Sequence, residues 1–431
     1  MSSGTRNSSI ILLAEGILEN AKEITRQVQL TGTALPDFSS TAEEAPSTPG
    51  FQKLQARLRT QLEDLQLLID GPRTFYRHFL MRGYEIAAFQ IALDFDFFVL
   101  IPSEGDIRLE DLASKAGLDQ DRTGRVVRLL ITHRFFQERK PGFFSHNSFS
   151  IALQRDDEMR SMVHYSFDEM LKASAEASVA LKAHPLQSDS VHCPFYARFG
   201  VPIFEYYAKY PENSGRFAQA MAGWRKMTNN VVELRDNYPW ASLKGTVVDI
   251  GGGSGHVSIE MAKLFPHLSF AVQDGGDDML AQGRRLVPSD VRSRISFTKA
   301  NFFEPQRYKG ASAYLIRQCT HNWADHDVVR IFKAVVPGLE GSDEGTPLLI
   351  NDMILPEPGD DVEREGTRIW ERERRQADMV MLMCFGAKQR TVKEFQALLH
   401  EADPRYVIRK IHEQGALGLI EVHLDRGQES R

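Results

Sequence analysis

Apolar residues recur at helical spacing over Ile10–Val28 (Ile11, Leu12, Ile17, Ala21, Ile24), which predicts a helix ending near Gly32. The run that follows, TGTALPDFSSTAEEAPSTPG, has no period and is rich in Ser, Thr, Pro and Gly, so about 30–52 is expected to be a flexible connector. Phe51–Asp70 is amphipathic again and is closed by Gly71-Pro72. Phe75–Leu100 is more apolar, which predicts a helix buried on several sides. The stretch IRLEDLASKAGLDQDRTGRVVRLLITHRFFQERKPGFFSHN reads as a short strand, a helix, a turn at Gly117, a second helix from about Asp121 and a hairpin through Pro141-Gly142. That order is a winged helix. Met159–Leu181 and Phe195–Asn230 read as helices, with NYPW as the boundary.

From Lys244 the pattern changes to apolar strands alternating with helices. GTVVDIGGG is a buried strand running into a glycine turn, and HVSIEMAKLFP is a helix. LSFAVQD, ISFTKANFF, SAYLIRQ and PLLINDMIL read as further strands, separated by MLAQGRRLV and HDVVRIFKAVVPGL as helices. TVKEFQALLHEA is a last helix, and YVIRKIHE with LGLIEVHL reads as an antiparallel pair. Strands alternating with helices predict an α/β, doubly wound and mostly parallel sheet. The expected organisation is a mostly α-helical, winged-helix part over 1–235 and an α/β domain over 236–431.

A chain of 431 residues accommodates two such domains, and 42% hydrophobic with 26% charged residues is the balance of a protein with a real core. The formal net charge of −6 changes the reading of the winged helix. Its second helix carries Arg122, Arg125 and Arg128 but also Val126, Val127, Leu129, Leu130 and Ile131. An acidic chain with such a helix is expected to use it for packing, not for binding nucleic acid. The three cysteines, Cys193, Cys319 and Cys384, are far apart and form no CxxC, so neither a disulfide framework nor a metal site is expected. A reducing cytoplasm follows. No apolar run approaches the roughly 20 residues that span a bilayer, and IILLA is too short for a signal-peptide core.

The chemistry concentrates at Val247-Val248-Asp249-Ile250-Gly251-Gly252-Gly253-Ser254-Gly255. Here a strand meets a helix through glycines, which let a ligand approach the backbone and the free N–H groups of the helix start. The second strand ends at Asp274, an acid placed to hold ribose hydroxyls. Taken alone, this pattern is shared with dinucleotide-binding enzymes. Three features together resemble the plant and fungal O-methyltransferases. They are the Asp249 form of the glycine motif, Asn301-Phe302-Phe303 after the third strand, and His321-Asn322-Trp323-Ala324-Asp325 after the fourth. The resemblance runs from the Gly71-Pro72 region to GLIEV near the end.

The resemblance implies a class I, Rossmann-like domain for S-adenosyl-L-methionine (SAM), preceded by a helical, winged-helix dimerisation domain, in a homodimer. Gly251, Gly253 and Gly255 would border the methionine part of SAM, with Asp249 close by, and Asp274 would hold the ribose. Asn301 and Phe302 would contact the adenine, Trp323 would lie against its ring, and Arg317 would stand near the cofactor. His321 matches the family's general base. One flanking acid falls at Asp352; the other, usually Glu, is Gln389 in Gly386-Ala387-Lys388-Gln389-Arg390-Thr391. Phe204, Met221, Met227, Met379 and Met383, with Met381 and Phe385, are expected to line a cavity for a flat substrate. The implied activity is O-methylation of a phenolic or enolic hydroxyl on a polyketide-type molecule, assisted by an imidazole base. Some fungal proteins of this appearance instead catalyse pericyclic steps on pyridones with SAM intact. Arg317 and His146 are the candidate hydrogen-bond donors for that alternative. A SAM-sensing winged-helix regulator is a third reading, which the acidic charge opposes.

Overall fold

The computed structural model describes residues 9–46, 48–228, 230–357, 367–412 and 417–427. Its first helix is Ser9–Leu30. The connector after it contains neither helix nor strand from Thr31 to Pro46, and the next helix already begins at Pro49, inside the expected 30–52. It is nevertheless tied down by one aromatic. The Phe38 and Phe149 rings lie 6.0 Å apart, the Arg134 guanidinium stands 4.9 Å from the Phe38 ring centre, and the Ser148 amide donates to the Phe38 carbonyl at 3.3 Å.

The helices expected over 51–70 and 75–100 are a single element, Pro49–Asp94, bent at Gly71 (φ 63°, ψ 171°) and Pro72. A proline with no N–H and a glycine off the helical dihedrals bend the element without a loop. The expected burial of its second part holds only from Ala88 onward, where Ala88, Phe89, Ala92 and Leu93 enter the core. Tyr76, Phe79, Leu80, Met81 and Tyr84 are exposed by 50% to 70%.

The winged pattern forms as expected. Helices Leu109–Ala116 and Gln120–Thr132 stand beside a sheet of β1 (Ile107–Arg108), β2 (Gln137–Lys140) and β3 (Phe143–Ser145) in the order β1-β3-β2. Phe97, Phe98, Leu112, Val127, Leu130, Phe136 and Phe144 fill its core. Arg128 donates to both oxygens of Glu138 (3.1 and 2.9 Å), so this guanidinium is committed to the protein's own hairpin.

Further on, the two long helices expected are broken into shorter ones. Met159–Leu181 becomes Asp157–Tyr165, a π-helical turn Ser166–Met170, Leu171–Ala175 and Ala177–Ala183. The 195–230 stretch becomes Pro194–Phe199, Ile203–Lys209 and Pro211–Thr228. Left-handed Gly200 (φ 75°) stops the first of these, and Pro211 opens the last.

The α/β pattern gives a seven-stranded sheet. Its strands are β4 (Gly245–Ile250), β5 (Leu268–Asp274), β6 (Ile295–Lys299), β7 (Ala313–Arg317), β8 (Leu348–Asp352), β11 (Tyr406–His412) and β12 (Gly418–Leu424). The order is β11-β12-β8-β7-β4-β5-β6, and β12 runs antiparallel to both its neighbours while the rest are parallel. A short parallel pair, β9 (Ile354–Leu355) with β10 (Arg390–Thr391), lies beside it in sequence. Successive side chains enter opposite cores. Val248, Ile250, Tyr314, Ile316, Leu348 and Ile350 belong to one, and Val247, Leu315 and Leu349 to the other. Burial on both faces is why these strands read as continuous apolar runs.

By contact density the chain forms two units. One runs to Lys172 and takes in Tyr210–Trp224 and a stretch ending at Glu373. The other, which holds the large sheet, takes in Ala173–Lys209, the chain from Arg225 and the chain from Arg374.

Candidate active site

Register aligns the chemistry. Asp249 is opposite Val272 and Leu315, Ile250 is opposite Gln273 and Ile316, and Arg317 is opposite Asn351. Asp249, Asp274, Arg317 and Asp352 therefore lie at the carboxyl ends of four strands, where the strand order reverses around β4. Open α/β sheets bind ligands at such a point.

After β4 the chain folds back on β5, with the Gly251 and Gly252 amides both donating to the Gln273 carbonyl (2.8 and 3.1 Å). Gly255 has φ +68°, and a Cβ there would stand 2.9 Å from Val272 and Phe297. At Gly252 a Cβ would stand 2.6 Å from the Asp249 carboxyl carbon. Glycine is thus imposed by packing as well as by dihedral. The buried Asp249 accepts from Ser258 Oγ at 2.6 Å, and its burial raises the carboxyl from 3.8 to about 6. Asp274 braces the turn, accepting from the Gly253 amide on Oδ2 (2.9 Å) and from the Gly276 amide on Oδ1 (2.8 Å). Each carboxylate oxygen keeps a further lone pair for a hydroxyl donor.

An aromatic group forms next to this turn. Trp323 meets Phe302 and Phe303 edge-on, at 5.6 and 4.9 Å between ring centres, and the Arg330 guanidinium covers Phe303 at 4.5 Å. Asn301 accepts from the Phe303 amide at 3.1 Å and so fixes the start of that turn. Gly251 links the two groups, since a Cβ on it would lie 3.8 Å from the Phe302 ring.

His321 lies in the single turn Thr320–Asn322, with its side chain 15% exposed. Its Nδ1 is 2.5 Å from Asp352 Oδ1, and Thr320 Oγ1 donates to Asp352 Oδ2 at 2.5 Å. Burial works against the Asp352 charge, but His321, Thr320 and Arg390 outweigh it and hold the carboxyl below its ordinary value. Arg317 donates to Asn351 Oδ1 (2.9 Å), and Asn351 Nδ2 donates to the Gly418 carbonyl (2.8 Å).

Sequence reasoning did not single out Arg390. Its side chain is fully buried; it donates to Asp325 Oδ1 through Nε (2.9 Å) and Nη2 (2.7 Å), to the Thr320 carbonyl (3.0 Å) and to the Trp323 carbonyl (2.8 Å). These partners are 65 to 70 positions away, so no local pattern reveals them. Beside it, the Gln389 amide donates to Asp378 Oδ1 at 2.8 Å, while its buried side-chain Oε1 has no hydrogen-bond partner among the described residues. The Gln389 side chain makes no bond to His321 among those described.

The structure gives His146 a different setting. It is buried in the helical unit, donating from Nε2 to the Ile101 carbonyl (3.0 Å) and meeting Ser150 Oγ at Nδ1 (2.9 Å), and burial pushes its imidazole below its usual value. Of the expected lining, Phe204 lies 5.6 Å from Phe385, Met379 is exposed and Met383 is buried. These belong to the sheet unit, whereas Met221 belongs to the helical one. The Met227 side chain lies outside the described residues. Among the described residues no cluster of three or more His, Cys, Asp or Glu could hold a metal ion, and no helix is long and apolar enough to cross a membrane.

The residues at the strand ends fit SAM: a glycine cradle, an acid at the end of β5 and an aromatic wall. Residues 180–403 match the O-methyltransferase domain profile. O-methyltransferase sol2 of Alternaria solani is 51% identical over 97% of this chain and 96% of its own. OxaC in complex with SAH and oxaline superposes with a TM-score of 0.73 at 20% identity, covering 96% of this chain and 100% of that one. A structure described as a pericyclic reaction enzyme superposes at 0.70 and 19%, covering 94% and 100%. At those identities the superpositions speak for the fold alone. With the profile and sol2, the strand-end site identifies this chain as a member of the SAM-dependent O-methyltransferase family.

Proposed function

We propose that the protein methylates a phenolic or enolic hydroxyl of a small polyketide-type natural product, with His321 as general base. The observation that carries this is the His321–Asp352 pair. An ionised carboxylate only accepts hydrogen bonds, so Asp352 fixes the proton of a neutral imidazole on Nδ1 and leaves Nε2 as the bare acceptor. Nε2 can then take the hydroxyl proton as the oxygen becomes nucleophilic, and the Asp352 charge stabilises the imidazolium that results. Bound SAM supplies an electrophilic methyl group on a positively charged sulfur. Asp249 and Asp274 would hold the polar end and the ribose, Asn301, Phe302 and Trp323 would enclose the adenine, and Arg317 would stand near the cofactor. Phe204, Met379 and Met383 face the substrate.

Incubating the pure protein with SAM and a panel of phenols and pyridones, and assaying S-adenosylhomocysteine, tests this. Stoichiometric S-adenosylhomocysteine is expected with the wild type and none with His321→Ala, while SAM still binds the variant. Gln389 in place of an acid favours a second reading, a pericyclic step. Product formed with SAM undiminished would establish that reading and defeat the first.

The exposed apolar stretch from Tyr76 to Tyr84 supports a homodimer, since solvent-facing patches of this kind mark partner surfaces and most oligomers are two-fold. Light scattering that reports a monomer at micromolar concentration would remove it. The three cysteines are free and buried, which suits the reducing cytoplasm.

A further inference from the structure

Arg390 joins two parts of the site that the chemistry treats separately. Its guanidinium reaches the Thr320 carbonyl, the Trp323 carbonyl and Asp325, so both ends of the segment carrying the base are gripped by one buried cation. From Thr320 the chain of bonds continues inward, because Thr320 Oγ1 donates to Asp352 and Asp352 holds His321. From Trp323 it continues outward to the rings of Phe302 and Phe303. Arg390 itself is anchored by the β9–β10 pairing, in which it stands opposite Ile354, two residues after Asp352. The base and the aromatic wall are thus set from one point.

We propose that Arg390 is a positioning residue that couples the cofactor wall at Trp323 to the base at His321, so that a firmly held SAM and a correctly placed imidazole occur together. This rests on the reading of Trp323 and His321 given above. A planar fork is needed for the task. Two carbonyls and a carboxylate lie in different directions, and guanidinium nitrogens serve them at once, whereas the ammonium of a lysine is a single point. The turn's own backbone bond, from the Trp323 amide to the Thr320 carbonyl (3.2 Å), shapes it locally, and Arg390 is what ties both of its ends to β10.

The test is SAM affinity, measured by titration calorimetry on the full chain, which does not depend on any methyl acceptor. Four proteins are compared: wild type, Arg390→Lys, Trp323→Ala and the double variant. Arg390→Lys is expected to weaken SAM by about tenfold although Arg390 does not touch it, a size ordinary for residues coupled through one network. Trp323→Ala should weaken it at least as much, and the double variant should be little worse than Trp323→Ala alone. Asp325→Asn loosens the same clamp from its half-exposed end and should give a smaller loss, which serves if Arg390→Lys does not fold. A purely structural arginine would lower the unfolding temperature and leave the SAM affinity of the folded protein unchanged; that result overturns the proposal. Losses that add in the double variant overturn it too, and so does wild-type affinity in Trp323→Ala. Failure of every hydroxyl in the panel to be methylated would strike the activity and leave these affinities as they are.

Discussion

Asp249 offers a quantitative check on the electrostatics of the proposed cofactor site. Its carboxyl is buried and raised from 3.8 to about 6, chiefly by desolvation, with the Ser258 hydrogen bond and Arg317 opposing. A raised value means the folded protein holds this proton more tightly than the unfolded chain does. The resulting stability is fully present below pH 3.8 and is lost as pH rises through about 6. Above pH 7 the ionised Asp249 therefore costs the SAM-free fold about 3 kcal/mol, at roughly 1.4 kcal/mol per tenfold in proton affinity. Asp249→Asn keeps the size and an oxygen for Ser258 but cannot ionise. The variant should be more stable than the wild type by about 3 kcal/mol at pH 8, by about half that at pH 5, and by almost nothing near pH 3. With a melting entropy of about 2.1 cal/mol/K per residue, that is roughly 3 °C at pH 8 for cooperative unfolding. Thermal scans of both SAM-free proteins across pH 5 to 8 measure it. SAM should reverse the order, because its positive charges reward the carboxylate and not the amide. A pH-independent difference, or an Asn variant that melts lower at pH 8, would refute the reasoning.

Asp352→Asn preserves the shape around Nδ1 but removes the charge that stabilises an imidazolium. Methyl transfer should fall by about 10²-fold or more, while calorimetry finds SAM affinity within about twofold of wild type. Gly386→Ala places a Cβ against the Asp189 backbone at a φ of +59°. That glycine also receives Ser188 Oγ on its carbonyl at 2.9 Å. The variant should lose about 3 kcal/mol or more in denaturant unfolding, and wild-type stability would show that the Asp189 loop can move aside.

The sheet was legible because each of its central strands is apolar on both faces and is punctuated by a glycine, an acid or a proline. Asp249, the glycine turn and Asp274 could be read from one short stretch and a strand length. His321 and Asp352 could be assigned by resemblance, yet their contact spans 31 positions and is visible only in three dimensions. The helical unit was less legible. A helical period does not say whether an apolar face is buried, and Tyr76, Phe79 and Leu80 are exposed. Gly71-Pro72 reads as a stop, but a bend satisfies the same two residues. Ser166–Met170 became a π turn with the buried Glu169 held by Arg216 at 2.8 Å, a long-range ion pair that no periodicity encodes.

The placing of β12 has a consequence for how the protein is made. It slots between β8 and β11, so one edge of β8 stays bare until Gly418–Leu424 arrives. During synthesis β8 (Leu348–Asp352), buried on both faces in the finished sheet, emerges some way ahead of its partner. A flat, apolar strand with an open edge is a template for pairing with other chains. Closing the gap requires a contact between segments more than 60 residues apart, which is slow compared with local structure. Soluble yield in a recombinant host should therefore track chaperone supply and growth temperature, and removing residues 418–424 should give aggregate and not a smaller enzyme.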